Sequence, residues 1–259
     1  MVTLGKAMTS KLSLENVFYT YPDGTEALSN ISLDIQPNEL FVIFGPSRSG
    51  KTTLLRLLNR LSDLTEGSER QGKIQFNGED IYGRNTDIIW LRRKISMVFA
   101  IPTPLPGTIY DNMTYGLKMA GMRDDNILNT RMEQALRQAA LWDEVKDRLD
   151  KSAFALSGGQ KQRLCVARSL ALEPEVLLLD NPTSGLDPIS TATLEQSLNT
   201  LKKQYTIIMV PHSVQQAARI ADRAAFLLDG EVIECGDQNQ IFLHPQHVRT
   251  TDYVTGRFG

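Results

Sequence analysis

Residues 40–58 read LFVIFGPSRSGKTTLLRLL, and this stretch decides the fold. Its first five residues are all apolar, which is typical of a strand buried on both faces of a parallel sheet. A loop with two glycines follows, and the leucines at positions 54, 55, 57 and 58 have the spacing of one helix face. The stretch therefore predicts a strand, a loop and a helix in direct succession.

The loop matches the pattern G-x-x-x-x-G-K-[ST], which binds nucleotide phosphates. Backbone N–H groups in such a loop converge on phosphate oxygens, and the helix dipole adds to the attraction. Lys51 is expected to reach the β- and γ-phosphates, and the Thr52 hydroxyl to bind Mg²⁺. A glycine loop that only turns the chain is the alternative, and the flanking strand and helix argue against it. The candidate ATP-binding residues here are Gly45, Pro46, Ser47, Arg48, Ser49, Gly50, Lys51, Thr52 and Thr53.

A second apolar run, at positions 176–179, ends at Asp180. A carboxylate at the end of a buried strand can hold Mg²⁺, or its bound water, opposite a phosphate loop. An apolar run that ends in aspartate is weak evidence alone, but it complements the loop. We therefore predict Thr52 and Asp180 as the metal ligands.

The rest of the chain indicates the fold around these strands. Residues 12–35 alternate apolar and polar around Tyr21-Pro-Asp-Gly24, which predicts an antiparallel β layer. Short apolar runs at 96–99, 176–179 and 206–210 predict a parallel sheet, and residues 224–234 predict a hairpin. A helical stretch from about Asn126 to Leu149 predicts an inserted subdomain. The predicted fold class is α/β, a parallel sheet core with an amino-terminal antiparallel β layer and an inserted α-helical subdomain.

Composition narrows the function only slightly. The 259 residues carry a formal net charge of −2, which offers no argument for nucleic acid as a partner. The amino-terminal stretch MVTLGKAMTSKLS lacks a signal-peptide core, and no apolar run approaches the roughly 20 residues of a membrane span. Cys165 and Cys235 are expected to be small buried apolar residues in a reducing compartment, and a disulfide between them is the disfavoured alternative. We expect a cytosolic protein whose membrane role, if it has one, comes through a partner.

One further motif is Leu156-Ser-Gly-Gly-Gln160. Ser157 is a good N-cap, and helical periodicity continues to Leu172. The N–H groups that follow the cap would form a second anion-binding helix end. A capped helix without a ligand is the alternative reading of the motif in isolation. The candidate nucleotide-binding residues are Ser157, Gly158, Gly159 and Gln160.

Together the loop, the strand ending in Asp180 and the motif at 156–160 resemble the ABC ATPases, which have a P-loop NTPase (RecA-like) fold. The resemblance implies that the 156–160 motif binds the γ-phosphate held by an opposite subunit, so that two copies enclose ATP. It implies that Tyr21 stacks on adenine, although a tyrosine packed beside a turn is the alternative. It also implies that residues 184–187 communicate across the dimer and that His212 contacts the γ-phosphate.

Four stretches resemble the ATP-binding subunits of bacterial phosphate importers: residues 108–112, 140–149, 187–191 and 252–259. This resemblance implies ATP and Mg²⁺ as cofactors. It also implies permease subunits and, through them, a substrate-binding protein as partners at the cytoplasmic face of the inner membrane. Residues 101–115 would lie near the docking surface. We expect one domain over 1–259, with a nucleotide-binding core at 12–99 and 158–240, a helical subdomain with the signature at 100–157, and a tail at 241–259.

The sequence departs from the family pattern around the reacting phosphate. The family's glutamine after the 96–99 strand is Ala100, and its catalytic glutamate after Asp180 is Asn181. An amide can hold a water but cannot accept its proton. Arg48 replaces a small residue, and Pro211 precedes His212 where threonine is common. The candidate catalytic residues are therefore Asp180, Asn181 and His212. Natural divergence and a deliberate trap mutation both remain open, and the scatter of the changes favours divergence.

Three functions remain open. The leading one is the energy-coupling ATPase of an importer, with hydrolysis slowed at Asn181 and Ala100. A regulatory switch that binds ATP and dimerises with little hydrolysis is the second. A soluble ABC protein of DNA repair or translation is disfavoured, because such proteins carry two ATP domains or long coiled-coil insertions.

Overall fold

A computed structural model describes residues 10–257 of the chain. Met1–Thr9, in the stretch searched for a signal peptide, and Phe258-Gly259, in the 252–259 stretch, lie outside the described residues. The strands are β1 (Leu12–Thr20), β2 (Glu26–Ile35), β3 (Leu40–Phe44), β4 (Glu69–Phe76), β5 (Glu79–Asp80), β6 (Ile95–Val98), β7 (Val176–Asp180), β8 (Thr206–Val210), β9 (Arg223–Leu228) and β10 (Glu231–Asp237). The helices are α1 (Lys51–Leu58), α2 (Ile88–Lys94), α3 (Ile109–Met119), α4 (Asp125–Gln138), α5 (Trp142–Val145), α6 (Gly158–Leu170), α7 (Pro188–Leu201), α8 (Val214–Ile220), α9 (Gln238–Leu243) and α10 (Val248–Val254). Across residues 10–257, no helix has both the length and the apolar character needed to cross a membrane.

The larger sheet has the strand order β10-β9-β3-β8-β7-β6. Strands β9, β3, β8, β7 and β6 run parallel, and β10 pairs antiparallel with β9 at one edge. All residues of β3, β7 and β8 are buried, as their continuous apolar sequences predict. The predicted parallel sheet and hairpin are confirmed. Because parallel strands share a direction, the carboxyl ends of β3, β8 and β7 lie along one edge of the sheet.

The antiparallel layer has the order β2-β1-β4-β5. Strands β1 and β2 pair from Leu12 opposite Ile35 to Thr20 opposite Glu26, which confirms the predicted strand–turn–strand. Successive side chains of β3 alternate between two hydrophobic clusters. Phe41 and Ile43 pack with α1 and the antiparallel layer, whereas Leu40, Val42 and Phe44 pack with the helices on the other face. The parallel sheet is therefore the middle layer of the molecule.

The helical stretch predicted from about Asn126 to Leu149 contains two helices separated by a break. Helix α4 ends at Gln138, and α5 begins only at Trp142. Ala140 has a φ of 50°, and the N–H of Leu141 donates to the carbonyl of Leu136 at 2.8 Å. This is the hydrogen bonding of a Schellman C-cap, in which glycine is the usual left-handed residue. The composition of this stretch hid the break because alanine occupies the glycine position.

The cysteine prediction is only partly right. Cys165 lies on α6 and is buried, and Cys235 is half-buried on β10, the edge strand of the larger sheet. Both thiols are free. An edge strand has a neighbour on one side only, so an apolar sequence context did not guarantee full burial there.

Candidate functional site

The phosphate loop lies between the end of β3 and the start of α1, as predicted. Its two glycines have positive φ, 150° at Gly45 and 96° at Gly50. A Cβ at Gly45 would lie 1.9 Å from the carbonyl oxygen of Leu227, and a Cβ at Gly50 would lie 2.4 Å from that of Ala27. Both distances are far below contact, so backbone from two neighbouring strands permits only glycine at these positions. The pattern G-x-x-x-x-G thus has a local steric cause in this fold.

Lys51 is the first residue of α1, and its ammonium group folds back over the loop. The Lys51 Nζ donates to the carbonyl of Pro46 and, at 3.2 Å, to the hydroxyl of Ser49. Burial lowers the pKa of Lys51, and the nearby carboxylate of Asp180 opposes that shift. A half-buried ammonium group beside a loop rich in N–H groups is suited to bind an anion.

Thr52 and Asp180 face each other across the same edge of the sheet. The Thr52 hydroxyl donates to Asp180 Oδ2 at 2.9 Å. Burial raises the pKa of Asp180, whereas the Thr52 hydrogen bond and the Lys51 charge lower it. A cation here would offset the cost of burying this carboxylate.

The pair offers Mg²⁺ one hydroxyl and one carboxylate oxygen. Within residues 10–257, no group of three or more His, Cys, Asp or Glu side chains could form an all-protein metal site. Mg²⁺ commonly takes one or two protein ligands and completes its octahedron with phosphate oxygens and water. The residues present therefore fit Mg²⁺ bound together with a nucleotide.

Lys51 and Thr52 line an open cleft of about 600 Å³, and Asp180 lies behind Thr52, to which it is hydrogen-bonded. Tyr21 forms one wall, with its hydroxyl 2.8 Å from the Thr53 hydroxyl and its ring edge-to-face with that of Tyr19 at 5.1 Å. The aromatic wall and the phosphate loop thus border the same space. The lining residues are Tyr21, Thr25, Glu26, Ala27, Gly45, Ser47, Arg48, Ser49, Gly50, Lys51, Thr52, Thr53, Asn181, Pro211, His212 and Tyr253.

Two candidate catalytic residues that line the cleft, Asn181 and His212, follow adjacent strands of the sheet. Asn181 follows β7 with a φ of 47°, and its N–H donates to the carbonyl of Val210 at 2.9 Å. Its amide Nδ2 lies 3.5 Å from Asp180 Oδ1. His212 is exposed and lies two residues after β8. The structure therefore brings Asp180, Asn181 and His212 to one end of the sheet, as their positions after strands predicted.

The positions that depart from the family pattern differ in their relation to the cleft. Arg48 lines the cleft and has a φ of 66°, whereas Ala100 is half-buried and is not one of the lining residues. Next to Ala100, the carbonyl of Phe99 accepts a hydrogen bond from Gln162 at 3.1 Å. The backbone beside Ala100 is thus anchored to α6. The methyl side chain of Ala100, unlike a glutamine at that position, offers no polar group to a phosphate or a water.

The motif at 156–160 starts α6 and lies apart from the cleft of its own chain, since none of its residues lines that space. Ser157 caps the helix, and its hydroxyl accepts from the Gln160 N–H at 3.3 Å. The Gln160 side chain bonds back to the Ser157 N–H at 3.0 Å and donates to Glu144 at 2.7 Å. Glu144 also pairs with the buried guanidinium of Arg163 at 2.7 Å. Hydrogen bonds and an ion pair thus hold an exposed helix start in a fixed orientation.

Sequence reasoning missed part of the cleft lining. Thr25, Glu26 and Ala27 line the wall beside Tyr21, and Tyr253 comes from α10 near the end of the chain. Closeness to Tyr21 in the sequence could have indicated the first three. No local pattern could have indicated Tyr253, which reaches the site by packing against Phe44 and Phe226.

Comparison with known proteins agrees with this geometry. The ABC transporter family model matches residues 28–184. The chain is 48% identical over 252 residues to the phosphate import ATP-binding protein PstB 2 of Lactobacillus acidophilus, covering 97% of this chain and 100% of the relative. It is 50% identical over 248 residues to the phosphate import ATP-binding protein PstB 1 of Vibrio parahaemolyticus, covering 96% and 91%.

Solved structures share the fold over nearly the whole chain. CbiO1 of Clostridium perfringens, part of the ABC transporter complex cbiONQ, superposes with a TM-score of 0.80 at 29% identity, covering 96% of this chain and 97% of that one. A bacterial Atm1-family ABC exporter with ATP bound also gives a TM-score of 0.80, at 24% identity, and supports the fold alone. The chain therefore belongs to the ABC transporter family, in the group of the phosphate import ATP-binding proteins.

Proposed function

We propose that this chain binds MgATP in the cleft and couples ATP to the import of inorganic phosphate. The observation that carries the proposal is the convergence of Lys51, Thr52 and Asp180 beside the aromatic wall of Tyr21. The substrate is inferred from relatives named phosphate import ATP-binding proteins, 48–50% identical over most of the chain. The transported ion is thus inferred from the relatives, whereas ATP as the ligand is inferred from the chemistry of the site.

The residues of the cleft have separate roles in this proposal. The loop N–H groups of residues 45–52 bind the phosphate oxygens, and Lys51 adds positive charge at the β- and γ-phosphates. Thr52 and Asp180 hold Mg²⁺, which neutralises phosphate charge when bound. Tyr21 presents a ring face for the adenine base. His212 lines the cleft beyond the end of β8, where it contacts the γ-phosphate.

Two copies of the chain are proposed to enclose the nucleotide. At the start of α6, Ser157 and Gly158 are exposed, and none of residues 157–160 lines the cleft of their own chain. Such a helix end attracts the terminal phosphate held by a second copy. Permease subunits and, through them, a substrate-binding protein complete the importer at the cytoplasmic face of the membrane. Ile101 and Tyr115 are exposed apolar side chains in the segment proposed to dock there.

Hydrolysis is proposed to be slow. Asn181 can orient a water but cannot take its proton, and Ala100 has no side chain to assist it. Loss of a general base lowers the reaction rate by a factor of about 10²–10⁴. These two residues also favour a second candidate function, an ATP-dependent dimeric switch with little turnover. ATPase rates with and without the permease subunits separate the two, because only the importer subunit should be accelerated by them.

The dimer can be tested at Gly158. A Cβ at Gly158 would meet no atom within 4 Å, so Gly158→Asp leaves the fold of one copy intact. It should leave MgATP affinity in calorimetry unchanged and abolish ATP-dependent dimerisation in light scattering, because a carboxylate would face the γ-phosphate. Asn126→Asp adds the same charge in the exposed first turn of α4 and is the control. Equal dimerisation of both variants would contradict the proposed interface.

A further inference from the structure

Gln216 is a buried side chain that connects the loop after β8 to the loop after β7. It lies in the first turn of α8 with 3% of its surface exposed. We propose that Gln216 is a positioning residue, which sets the place of His212 relative to Asn181 and thereby the preference for ATP over ADP. This inference rests on the proposed function, because it assigns a regulator to the same site.

The contacts of Gln216 fix the orientation of its amide. Its Oε1 accepts from the N–H of His212 at 2.9 Å, and its Nε2 donates to Glu195 Oε1 at 2.9 Å. The Thr183 hydroxyl lies 3.1 Å from Oε1 and 3.0 Å from Nε2. One side chain therefore joins a backbone donor in the His212 loop to a carboxylate on α7 and a hydroxyl in the Asn181 loop.

Only an amide satisfies both fixed partners. The N–H of His212 requires an acceptor, and the carboxylate of Glu195 requires a donor. Arg219 contacts both oxygens of that carboxylate, at 2.7 and 3.2 Å, and shares Oε1 with Gln216. A glutamate at position 216 would place two carboxylates together, and an apolar side chain would leave the His212 N–H without this acceptor. Each change is costly because the side chain at position 216 is buried.

The network lies where the two catalytic loops separate. Strands β7 and β8 pair up to Asp180 opposite Val210. The Asn181 N–H makes one more bond, to the Val210 carbonyl, and the loops then diverge. Gln216 adds a second connection beyond the strand ends, at Thr183 on one side and His212 on the other.

Movement of the His212 loop away from the Asn181 loop would therefore break a hydrogen bond to Gln216, whose side chain is 3% exposed. The network fixes the position of the His212 loop. That position decides how well His212 can contact a γ-phosphate. The α- and β-phosphates bind the loop at 45–52 and do not depend on it. Loss of Gln216 should therefore affect ATP more than ADP, whereas a purely structural glutamine would affect both equally.

The test measures MgATP and MgADP affinity by calorimetry in the full chain. Gln216→Glu should lower the ratio of ATP to ADP affinity by about tenfold, with ADP affinity unchanged. The double variant Gln216→Glu/Glu195→Gln keeps an acceptor for the His212 N–H and places an amide donor on α7 opposite the new carboxylate, so it should recover the ratio. Thr183→Val, which removes one hydroxyl and keeps the shape, should lower the ratio less and serves if Gln216→Glu does not fold.

The outcomes separate this inference from the proposed function. An unchanged ratio in Gln216→Glu or Thr183→Val, or equal losses for ATP and ADP, would overturn the positioning role. A double variant no better than Gln216→Glu would also contradict it, because the exchange of donor and acceptor is its specific feature. Failure of the unchanged protein to bind either nucleotide would overturn the proposed function itself.

Discussion

The hydroxyl of Thr52 lies 2.9 Å from a carboxylate oxygen of Asp180, although 128 positions separate the two residues in the chain. Thr52 is the second residue of α1, and Asp180 ends β7. Strand β8 lies between β3 and β7, so the sheet order brings the two residues to the same edge. This contact joins the two halves of the candidate MgATP site and connects the sequence motifs to one place in the fold.

Lys51 is predicted to be the main source of affinity for the terminal phosphates. Lys51→Ala should abolish or severely weaken MgATP binding in calorimetry, because it removes the positive charge that meets the β- and γ-phosphates. Lys203→Ala removes a lysine from an exposed position after α7 and is the matched control. Unchanged affinity in Lys51→Ala would show that the nucleotide binds elsewhere.

Tyr21 is predicted to bind adenine through its ring face. Tyr21→Ala should weaken MgATP binding by about 1–3 kcal/mol, a range taken from base stacking on aromatic side chains. Tyr21→Phe keeps the ring and loses the hydroxyl bond to Thr53, so its affinity should change by less than about 1 kcal/mol. Equal losses in the two variants would assign the effect to that hydroxyl bond instead of stacking.

Glu175 is predicted to join the two sheets in a pH-dependent way. It lies before β7 and accepts from Lys11 at 3.0 Å and Asn77 at 3.0 Å, while Lys94 lies at 3.2 Å. Burial raises its pKa, but these bonds outweigh burial and lower it from 4.5 to about 2. A lowered pKa in the folded state means that the stabilisation is fully present above pH 4.5 and is lost as the pH falls toward 2.

Glu175→Gln should therefore lower the free energy of unfolding at neutral pH by about 1 kcal/mol, a value reduced for solvent screening. The difference from the unchanged protein should shrink as the pH falls from 4.5 toward 2. Urea unfolding at several pH values measures this. Glu133→Gln breaks an exposed pair within α4 and is the control, with an expected loss of about 0.3–0.5 kcal/mol. A constant difference across the pH range would refute the pH-dependent role.

The sequence predicted the elements whose causes are local. The strand, loop and helix at 40–58 follow from the apolar pattern and from the two glycines of the loop. These glycines are required because neighbouring backbone leaves no room for a Cβ. The apolar run that ends at Asp180 was weak evidence alone and indicated a site only in combination with the phosphate loop. Ser157 was recognised as an N-cap from its residue type, and its capping box has the expected geometry.

Features that depend on distant partners could not be predicted. The left-handed Ala140 lies beside Arg163, whose guanidinium donates to its carbonyl at 2.5 Å from 23 positions away. Tyr253 reaches the cleft by packing of aromatic rings that no periodicity reveals. The hydrogen bonds of Gln216 involve residues of three other segments, so they could not be predicted from the type and position of Gln216 alone. Tertiary contacts decide these cases.

We propose that the chain closes as a dimer over MgATP and hydrolyses it slowly, because Asn181 and Ala100 cannot activate water. Asn181→Glu, and then Asn181→Glu/Ala100→Gln, should raise turnover without tightening ATP binding, because a base acts on the transition state. The two changes need not add, since they address one water.

The most direct test follows ATPase rate and light scattering together in the unchanged protein and the double variant after addition of MgATP. We expect a persistent dimer with slow turnover in the unchanged protein, and a dimer that decays as ATP is consumed in the double variant. Fast turnover in the unchanged protein that neither substitution alters, or the absence of a dimer with MgATP, would contradict this proposal.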